Sequence, residues 1–329
     1  MKAYVFRNYG NPDVLKLEEF EKPTPKENEV LVKVQAASVN ALDWHLLTAD
    51  IFLVRLMGGG LLKPKNIRLG ADVAGLVEAV GTNVTQFKPG DAVFGDVAPW
   101  DGGGFAEYVC VPEKAFALKP ANLSFEQAAA VPVAGITALQ GLRDKGLVQP
   151  GQQVLINGAA GGVGTFAVQI AKHLGAEVTA VCSTRNLEQA RSLGATNVID
   201  YTREDFTKAD RQYDLILAVN GFHPLSAYKR ALKPEGRYIM AGGSMAQIFQ
   251  GMLMGTGRSK TTGKIMGSVS ARASQKDLVT LAGLLQEGRI TAVIEKSYPF
   301  SQAPEAIRHL GSGHARAKVV IVMGDNNKD

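Results

Sequence analysis

Gly158, Gly161, Gly162 and Gly164 crowd into one short stretch, and their spacing carries the clearest chemistry in the chain. They follow Val154-Leu155-Ile156-Asn157, an apolar run that reads as a buried strand. After them Val163, Phe166, Ala167, Ile170, Ala171 and Leu174 recur at helical spacing, and Gly175 stops the run. Strand, glycine turn and helix in that order make a mononucleotide-binding unit. The glycines let the backbone turn sharply and approach a pyrophosphate, and the N–H groups of the helix start face it.

A second apolar strand, Glu177 to Cys182, follows, and its end belongs beside the adenosine ribose. A site for NAD usually places Asp or Glu there to accept from the ribose hydroxyls. This chain continues with Ser183-Thr184-Arg185 and no acid. Hydroxyls plus a guanidinium suit a 2′-phosphate, which predicts NADPH. The alternative for Arg185 is a solvated residue at a helix start.

These elements sit in a chain of 329 residues, long enough for two ordinary domains and a substantial core. Hydrophobic content of 46% and charged content of 20% are those of a globular protein. The formal charge of +5 is spread along the chain, so nucleic acid is not an expected partner. Cys110 and Cys182 are too few for a disulfide framework or a four-thiolate zinc site, which predicts a reducing compartment, and Cys182 reads as a small buried residue. Met1 leads directly into a strand pattern and no run is long and apolar enough to span a bilayer, so the expected localisation is cytoplasmic.

Residues 1 to about 120 hold short β patterns broken by Gly and Pro, including Val30–Val34, Gly75–Gly81 and Gly90–Gly95. That spacing predicts a partly open β-barrel. Ser124 with Gln127 three residues on reads as a capping box opening an alanine-rich helix. Beyond the glycine turn, 197–200, 215–219, 236–241 and 264–269 read as further strands of a parallel sheet. A short helix at 302–310 and a strand from Lys318 to Val322 close the chain and return it to the first domain.

The chain resembles the medium-chain dehydrogenase/reductase superfamily, in its zinc-free quinone oxidoreductase and enoyl reductase branch. The resemblance covers essentially the whole chain. It rests on Ser38-Val39-Asn40, Gly70-Ala71-Asp72-Val73-Ala74-Gly75, Phe87-Lys88-Pro89-Gly90-Asp91 and Gly104-Phe105-Ala106-Glu107-Tyr108. It continues through Val131-Pro132-Val133-Ala134-Gly135-Ile136-Thr137-Ala138, the glycine turn and Val198-Ile199-Asp200-Tyr201, and ends at Gly313-His314-Ala315-Arg316. It implies an α/β protein, a Rossmann doubly wound parallel sheet joined to a GroES-like partly open β-barrel domain. The domains would be 1–123 GroES-like and catalytic, 124–295 Rossmann and NADPH-binding, and 296–329 a return into the GroES-like domain. Backbone groups of Gly162 and Val163 would hold the pyrophosphate and Ser183 and Arg185 the adenosine phosphate, with Ala160, Gly161 and Thr184 also binding the cofactor. Tyr201 would pack against that end, and Thr137 would face the nicotinamide ribose. His314, Ala315 and Arg316 would reach the cofactor from the tail. A homodimer is the family's usual assembly.

Zinc-dependent members of the superfamily carry Cys where this chain has Asn40 and His where it has Ala71. Catalytic zinc needs three ligands drawn from Cys, His or carboxylate, and Asp43 with Asp72 make a poor pair without imidazole or thiolate. No metal is expected, and Asp72 is expected to anchor backbone or pair with a basic neighbour. Without a Lewis acid, acceptors that are already electrophilic suit hydride transfer, namely quinones and α,β-unsaturated carbonyls. Asn40 is the candidate donor to the developing oxyanion and His45 the candidate proton donor, the alternative for His45 being a cleft-lining residue without a catalytic duty. A lipophilic pocket is expected from Trp44 and Ile51–Met57, followed by Gly58-Gly59-Gly60, with 246–263 as a second flap or a dimer contact. Two other functions compete. One is enoyl-thioester reduction, with Lys63, Lys65 and Arg68 for a phosphopantetheine arm. The other is an NADPH-binding redox-sensing or nucleic-acid-binding protein with little turnover.

Overall fold

The computed structural model describes residues 1–50, 60–100, 102–221, 223–242, 257–259, 262–313 and 315–324. The apolar stretch 51–57, most of 246–263 and His314 therefore lie outside the described residues. The chain packs as two units. The first comprises Met1–Val133, Ala273–Glu287 and Ala292–Asp329; the second comprises Ala134–Arg272 and Gly288–Thr291.

The first unit opens with a two-stranded antiparallel pair, β1 (Lys2–Val5) and β2 (Lys16–Glu19). Its main sheet is built around the long strand β3 (Glu29–Val39), with β4 (Asp72–Val80), β5 (Ala92–Asp96), β6 (Tyr108–Pro112), β7 (Phe116–Leu118), β15 (Ile294–Pro299) and β16 (Lys318–Val322). The order is β15-β16-β3-β4-β5-β7, and β6 pairs with β3. Residues Glu29–Lys33 of β3 face β6, whereas Ala36–Val39 face β16. Register shifts at Leu31/Val32 and Val34/Ala36 bend the strand where it changes partner, which is how a sheet turns a barrel corner. Val30, Val32, Val34, Ala37 and Val39 line the core with Phe94, Phe105 and Phe116. Helix α1 (Ala41–Thr48) leaves the end of β3 directly. The capping box at Ser124 is present and starts α2 (Phe125–Ala129); α3 (Pro132–Leu139) follows.

The second unit is a seven-stranded sheet of β8 (Gln153–Asn157), β9 (Glu177–Cys182), β10 (Asn197–Asp200), β11 (Tyr213–Ala218), β12 (Leu232–Met240), β13 (Gly257–Arg258) and β14 (Ile265–Ser268). Its order, β10-β9-β8-β11-β12-β14-β13, is that of a doubly wound sheet. The pairings are parallel except for the antiparallel edge strand β13. Helices α4 (Gly162–His173), α5 (Leu187–Ser192) and α6 (Leu225–Arg230) belong to the same unit.

Two helices pack differently from the sequence boundaries of the domains. The helix α2 and the later α7 (Gln275–Gln286) fall in the first unit, although both lie within 124–295. For α7 the cause is visible: Gln275 Nε2 donates to Phe116 O at 2.9 Å, and Asn122 Nδ2 donates to Leu285 O at 3.3 Å. The closing helix α8 (Ala303–Gly311) and β16 return to the first unit.

The glycine turn owes its shape to close approach. Gly158 has φ of +87°, and a Cβ there would come within 2.7 Å of Asn220 N. A Cβ on Gly164 would lie 2.2 Å from Gly158 O, so the first turn of α4 rests on the end of β8. Gly161 is different, since its Cβ would meet nothing nearer than Gly158 O at 3.9 Å. Gly164→Ala is therefore expected to lower stability by about 1–3 kcal/mol through overpacking. Gly161→Ala is expected to keep the wild-type Tm. Thermal melts of the two variants check the contrast, and equal Tm values would contradict the packing assigned to Gly164.

Candidate active site and dinucleotide cradle

In the second unit, Gly161 is the N-cap of α4 with extended backbone (φ −79°, ψ 177°). The N–H groups of Gly162, Val163 and Gly164 open the helix, where no intrahelical acceptor exists. Ala160, Gly161, Gly162 and Val163 are all partly exposed. Open space in front of Gly161 and a helix start fit a pyrophosphate.

Two adjacent strand ends stand where the adenosine end is expected. Ser183 follows β9, and its Oγ accepts from Asn186 Nδ2 at 3.1 Å, while the Oδ1 of buried Asn186 has no partner. Strand β10 is parallel to β9 with Asp200 level with Cys182. Asp200 Oδ2 accepts the Thr184 hydroxyl, and Asp200 Oδ1 accepts from Thr202 N at 3.0 Å and Thr202 Oγ1 at 2.7 Å. An acid therefore does stand at the end of β9, contrary to the reading of Ser183-Thr184-Arg185 alone. It arrives from the neighbouring strand. Tyr201 is 61% exposed, with its N–H bonded to Cys182 O at 3.2 Å. Thr137 is buried on α3. Burial pushes the Cys182 thiol up to about 11, in keeping with a packing role.

In the first unit the residues of Ser38-Val39-Asn40 and Asp72 meet in a buried polar network. Asp72 Oδ2 accepts from Ser38 Oγ at 2.8 Å and Asn40 Nδ2 at 2.9 Å, and Asp72 Oδ1 accepts from Val133 N at 2.9 Å. Lys318 Nζ donates to Asn40 Oδ1 at 2.6 Å and lies 3.2 Å from Asp72 Oδ2. Asp72 thus both anchors backbone and pairs with a basic neighbour. Asp43 holds the helix start: its carboxylate accepts from Asn40 N and Gly70 N, each at 2.8 Å. Lys318 is only 2% exposed and was missed as a site residue, because a lysine that opens a strand pattern reads as solvated.

The network constrains the candidate catalytic groups. Asn40 Nδ2 has Ser38 O at 3.5 Å as its second neighbour, so one amide hydrogen is held weakly. His45 Nδ1 lies 2.9 Å from Asp50 Oδ1, a contact that orients the ring and leaves Nε2 for proton transfer. Trp44 does not stand open as a pocket wall along its whole ring: a Cβ on Gly311 would lie 2.0 Å from its six-membered ring, so Trp44 packs on α8. In the tail, Arg316 N donates to Glu295 Oε2 at 2.7 Å, and the buried Nε of Arg316 has no partner; Ala315 is half-buried. Lys65 and Arg68 line a groove of about 690 Å³ with Phe20 and Pro23. Among the described residues, no group of three or more His, Cys, Asp or Glu could hold a metal ion.

Asp96 faces Asp72 across β4 and β5, and burial together with the Asp72 charge pushes its carboxyl up to about 7. Burial likewise raises Asp43 to about 6. The folded chain then holds a proton on Asp96 that the unfolded chain releases near 3.8, so stability falls as pH rises from about 4 to 7. Asp96→Asn keeps an acceptor for Ala98 N and removes this cost. Its Tm is expected to exceed the wild type's at pH 8 and to converge with it near pH 4. Parallel Tm curves across that range would contradict the assignment.

The sequence pattern described as the alcohol dehydrogenase GroES-like domain matches residues 26–121, and that described as zinc-binding dehydrogenase matches 193–321. The mitochondrial NAD(P)H oxidoreductase RTN4IP1 of Bos taurus is 37% identical over 98% of this chain and 89% of its own length. The chloroplastic NADPH-dependent alkenal/one oxidoreductase of Arabidopsis thaliana is 35% identical over 98% of this chain and 79% of its own. Among solved structures, the quinone oxidoreductase from Coxiella burnetii superposes with a TM-score of 0.86 at 31% identity, covering 98% of this chain and 99% of that one. With the doubly wound sheet and the barrel sheet both in place, the chain belongs to the medium-chain dehydrogenase/reductase superfamily, in its quinone oxidoreductase and enoyl reductase branch, and is an oxidoreductase.

Proposed function

We propose that this oxidoreductase is zinc-independent and NADPH-dependent, and that it passes a hydride to a quinone or an α,β-unsaturated carbonyl. One observation carries the reading. Lys318 Nζ sits 2.6 Å from Asn40 Oδ1 and 3.2 Å from Asp72 Oδ2, so a fixed cation already occupies the surroundings of the position where zinc-dependent members have a thiolate. A divalent ion beside that ammonium would meet an amide and a single shared carboxylate, a poor donor set for zinc. Acceptors that need no Lewis acid fit such a site. The similarity to an alkenal/one oxidoreductase and a quinone oxidoreductase supports the same substrate class.

Bound NADPH would supply the hydride. The chain's part is to bind, orient and protonate. The helix start at Gly162 and Val163 would hold the pyrophosphate, and Ser183 with Arg185 the 2′-phosphate, with Ala160, Gly161 and Tyr201 lining the same cradle and Thr184 beside it. Thr137 and the tail residues His314, Ala315 and Arg316 would hold the remainder of the dinucleotide. The orphaned Nε of Arg316 suits an anion. Asn40, its rotamer held by Lys318 and Asp72, would turn its weakly held amide hydrogen to the developing oxyanion. His45, its Nδ1–H held by Asp50, would return a proton from Nε2 when it carries a proton on both ring nitrogens. No described helix is long and apolar enough to cross a membrane, and two cysteines, too few for a disulfide framework, fit the proposed reducing, cytoplasmic setting. Two copies would assemble through the edges of their Rossmann sheets.

Three outcomes are expected. Purified protein oxidises NADPH with 1,4-quinones, enals or enones; silence across that panel, or turnover only with enoyl thioesters, would contradict the proposed acceptor. Arg185→Ala weakens NADPH binding by roughly 10- to 100-fold more than NADH binding, the worth of one or two charge-assisted bonds; equal losses would remove Arg185 from the phosphate site. Asn40→Ala lowers kcat by about 100-fold with little change in KM and with the Tm monitored in parallel. Turnover left intact would reduce Asn40 to a packing residue.

A further inference from the structure

Two opposed charges belong to the adenosine end of the proposed cradle, Arg185 in the turn after β9 and Asp200 at the end of β10. We propose that Asp200 is a specificity-determining residue that restrains the preference for a 2′-phosphorylated dinucleotide, by holding the Thr184 hydroxyl proton and by placing a carboxylate beside the phosphate position. This rests on the reading of Ser183–Arg185 as the adenosine phosphate site.

A threonine hydroxyl has one proton and two lone pairs. Thr184 gives its proton to Asp200 Oδ2, so its oxygen presents only lone pairs to a ligand. It can accept from a ribose 2′-hydroxyl but opposes a phosphate oxygen. Ser183 is the reverse case. Its Oγ accepts from Asn186 Nδ2, so its own proton is the one to give. Of the two hydroxyls that made Ser183-Thr184-Arg185 look suited to phosphate, one is turned to the opposite preference.

The charge on Asp200 persists. The hydroxyls of Thr184 and Thr202 hold its carboxyl below the ordinary carboxylate range, so it is ionised at neutral pH. Its cationic neighbour is Arg203, whose Nε lies 3.6 Å away on a side chain that is 75% exposed. The contact is long and its cationic partner is solvated, so it neutralises little of the charge on the buried Asp200. Arg185 and Asp200 therefore pull the 2′ position in opposite directions from adjacent strand ends.

Asp200→Asn isolates the effect. The amide oxygen still accepts from Thr202 N, and the new amide N–H donates to Thr184 Oγ1, which frees the Thr184 proton to point outward. Fluorescence titration of the purified full chain with NADPH and NADH gives the ratio of the two Kd values. The ratio is expected to move toward NADPH on the order of tenfold in Asp200→Asn, and in the same direction in Asp200→Ser should the first variant melt early. The double variant Arg185→Ala/Asp200→Asn is expected to fall between the two single variants. A ratio within twofold of wild type, or one that moves toward NADH, overturns the role of Asp200 while leaving NADPH binding intact. Binding of neither dinucleotide by the wild-type chain overturns this assignment and the proposed function together.

Discussion

The ion pair between Lys318 and Asp72, with Asn40 bonded to both, is the interaction on which the barrel unit's chemistry depends. Burying an ammonium and a carboxylate is costly, and the cost is offset only where the remaining lone pairs and protons are also satisfied. Here Asp72 takes Ser38, Asn40, Val133 and Lys318, which joins β3, β4 and β16 to the start of α3. Its partners also fix the Asn40 amide. A lysine can only donate and a carboxylate can only accept, so Asn40 must place its oxygen toward Lys318 and its nitrogen toward Asp72. Removing one partner would leave an uncompensated buried charge, so the four side chains act as one unit.

The Rossmann unit solves a different problem, holding an open helix start at a fixed place. Gly158 and Gly164 serve packing, since both face backbone at distances no side chain tolerates. Gly161 serves access. The polar work at the far end is done by side chains whose strand register decides what each can donate. Asp200 and Cys182 are level, and that single register makes Thr184 an acceptor.

The two periodicities were legible in the residues themselves. Alternation in Val30–Val34 and the helical spacing from Val163 to Leu174 depend on local burial, and both elements stand where they were read. The closing strand Lys318–Val322 was legible to the residue. What was hidden depends on pairing between distant segments. Lys318 looked solvated until β16 paired with β3 and carried it to Asn40. Asp200 sat in view in Val198-Ile199-Asp200, yet nothing in one strand states which residue of its neighbour it will face. The helix α7 lies within the span 124–295 read as Rossmann, and its amide bonds through Gln275 to Phe116 and through Leu285 to Asn122 connect residues more than 150 positions apart. Trp44 belongs to the same class: an aromatic beside a candidate site suggests a pocket wall, and only the tertiary contact with Gly311 shows what its ring covers.

In the proposed function the Lys318–Asp72–Asn40 network stands in place of a metal centre, so that hydride transfer proceeds to an already activated acceptor. The most direct test is steady-state NADPH oxidation with a 1,4-quinone by protein dialysed against a strong chelator, with bound metal quantified on the same sample. The account predicts full turnover at far less than one metal ion per chain and no gain on adding zinc. Loss of turnover on chelation, restored by stoichiometric zinc, would contradict it.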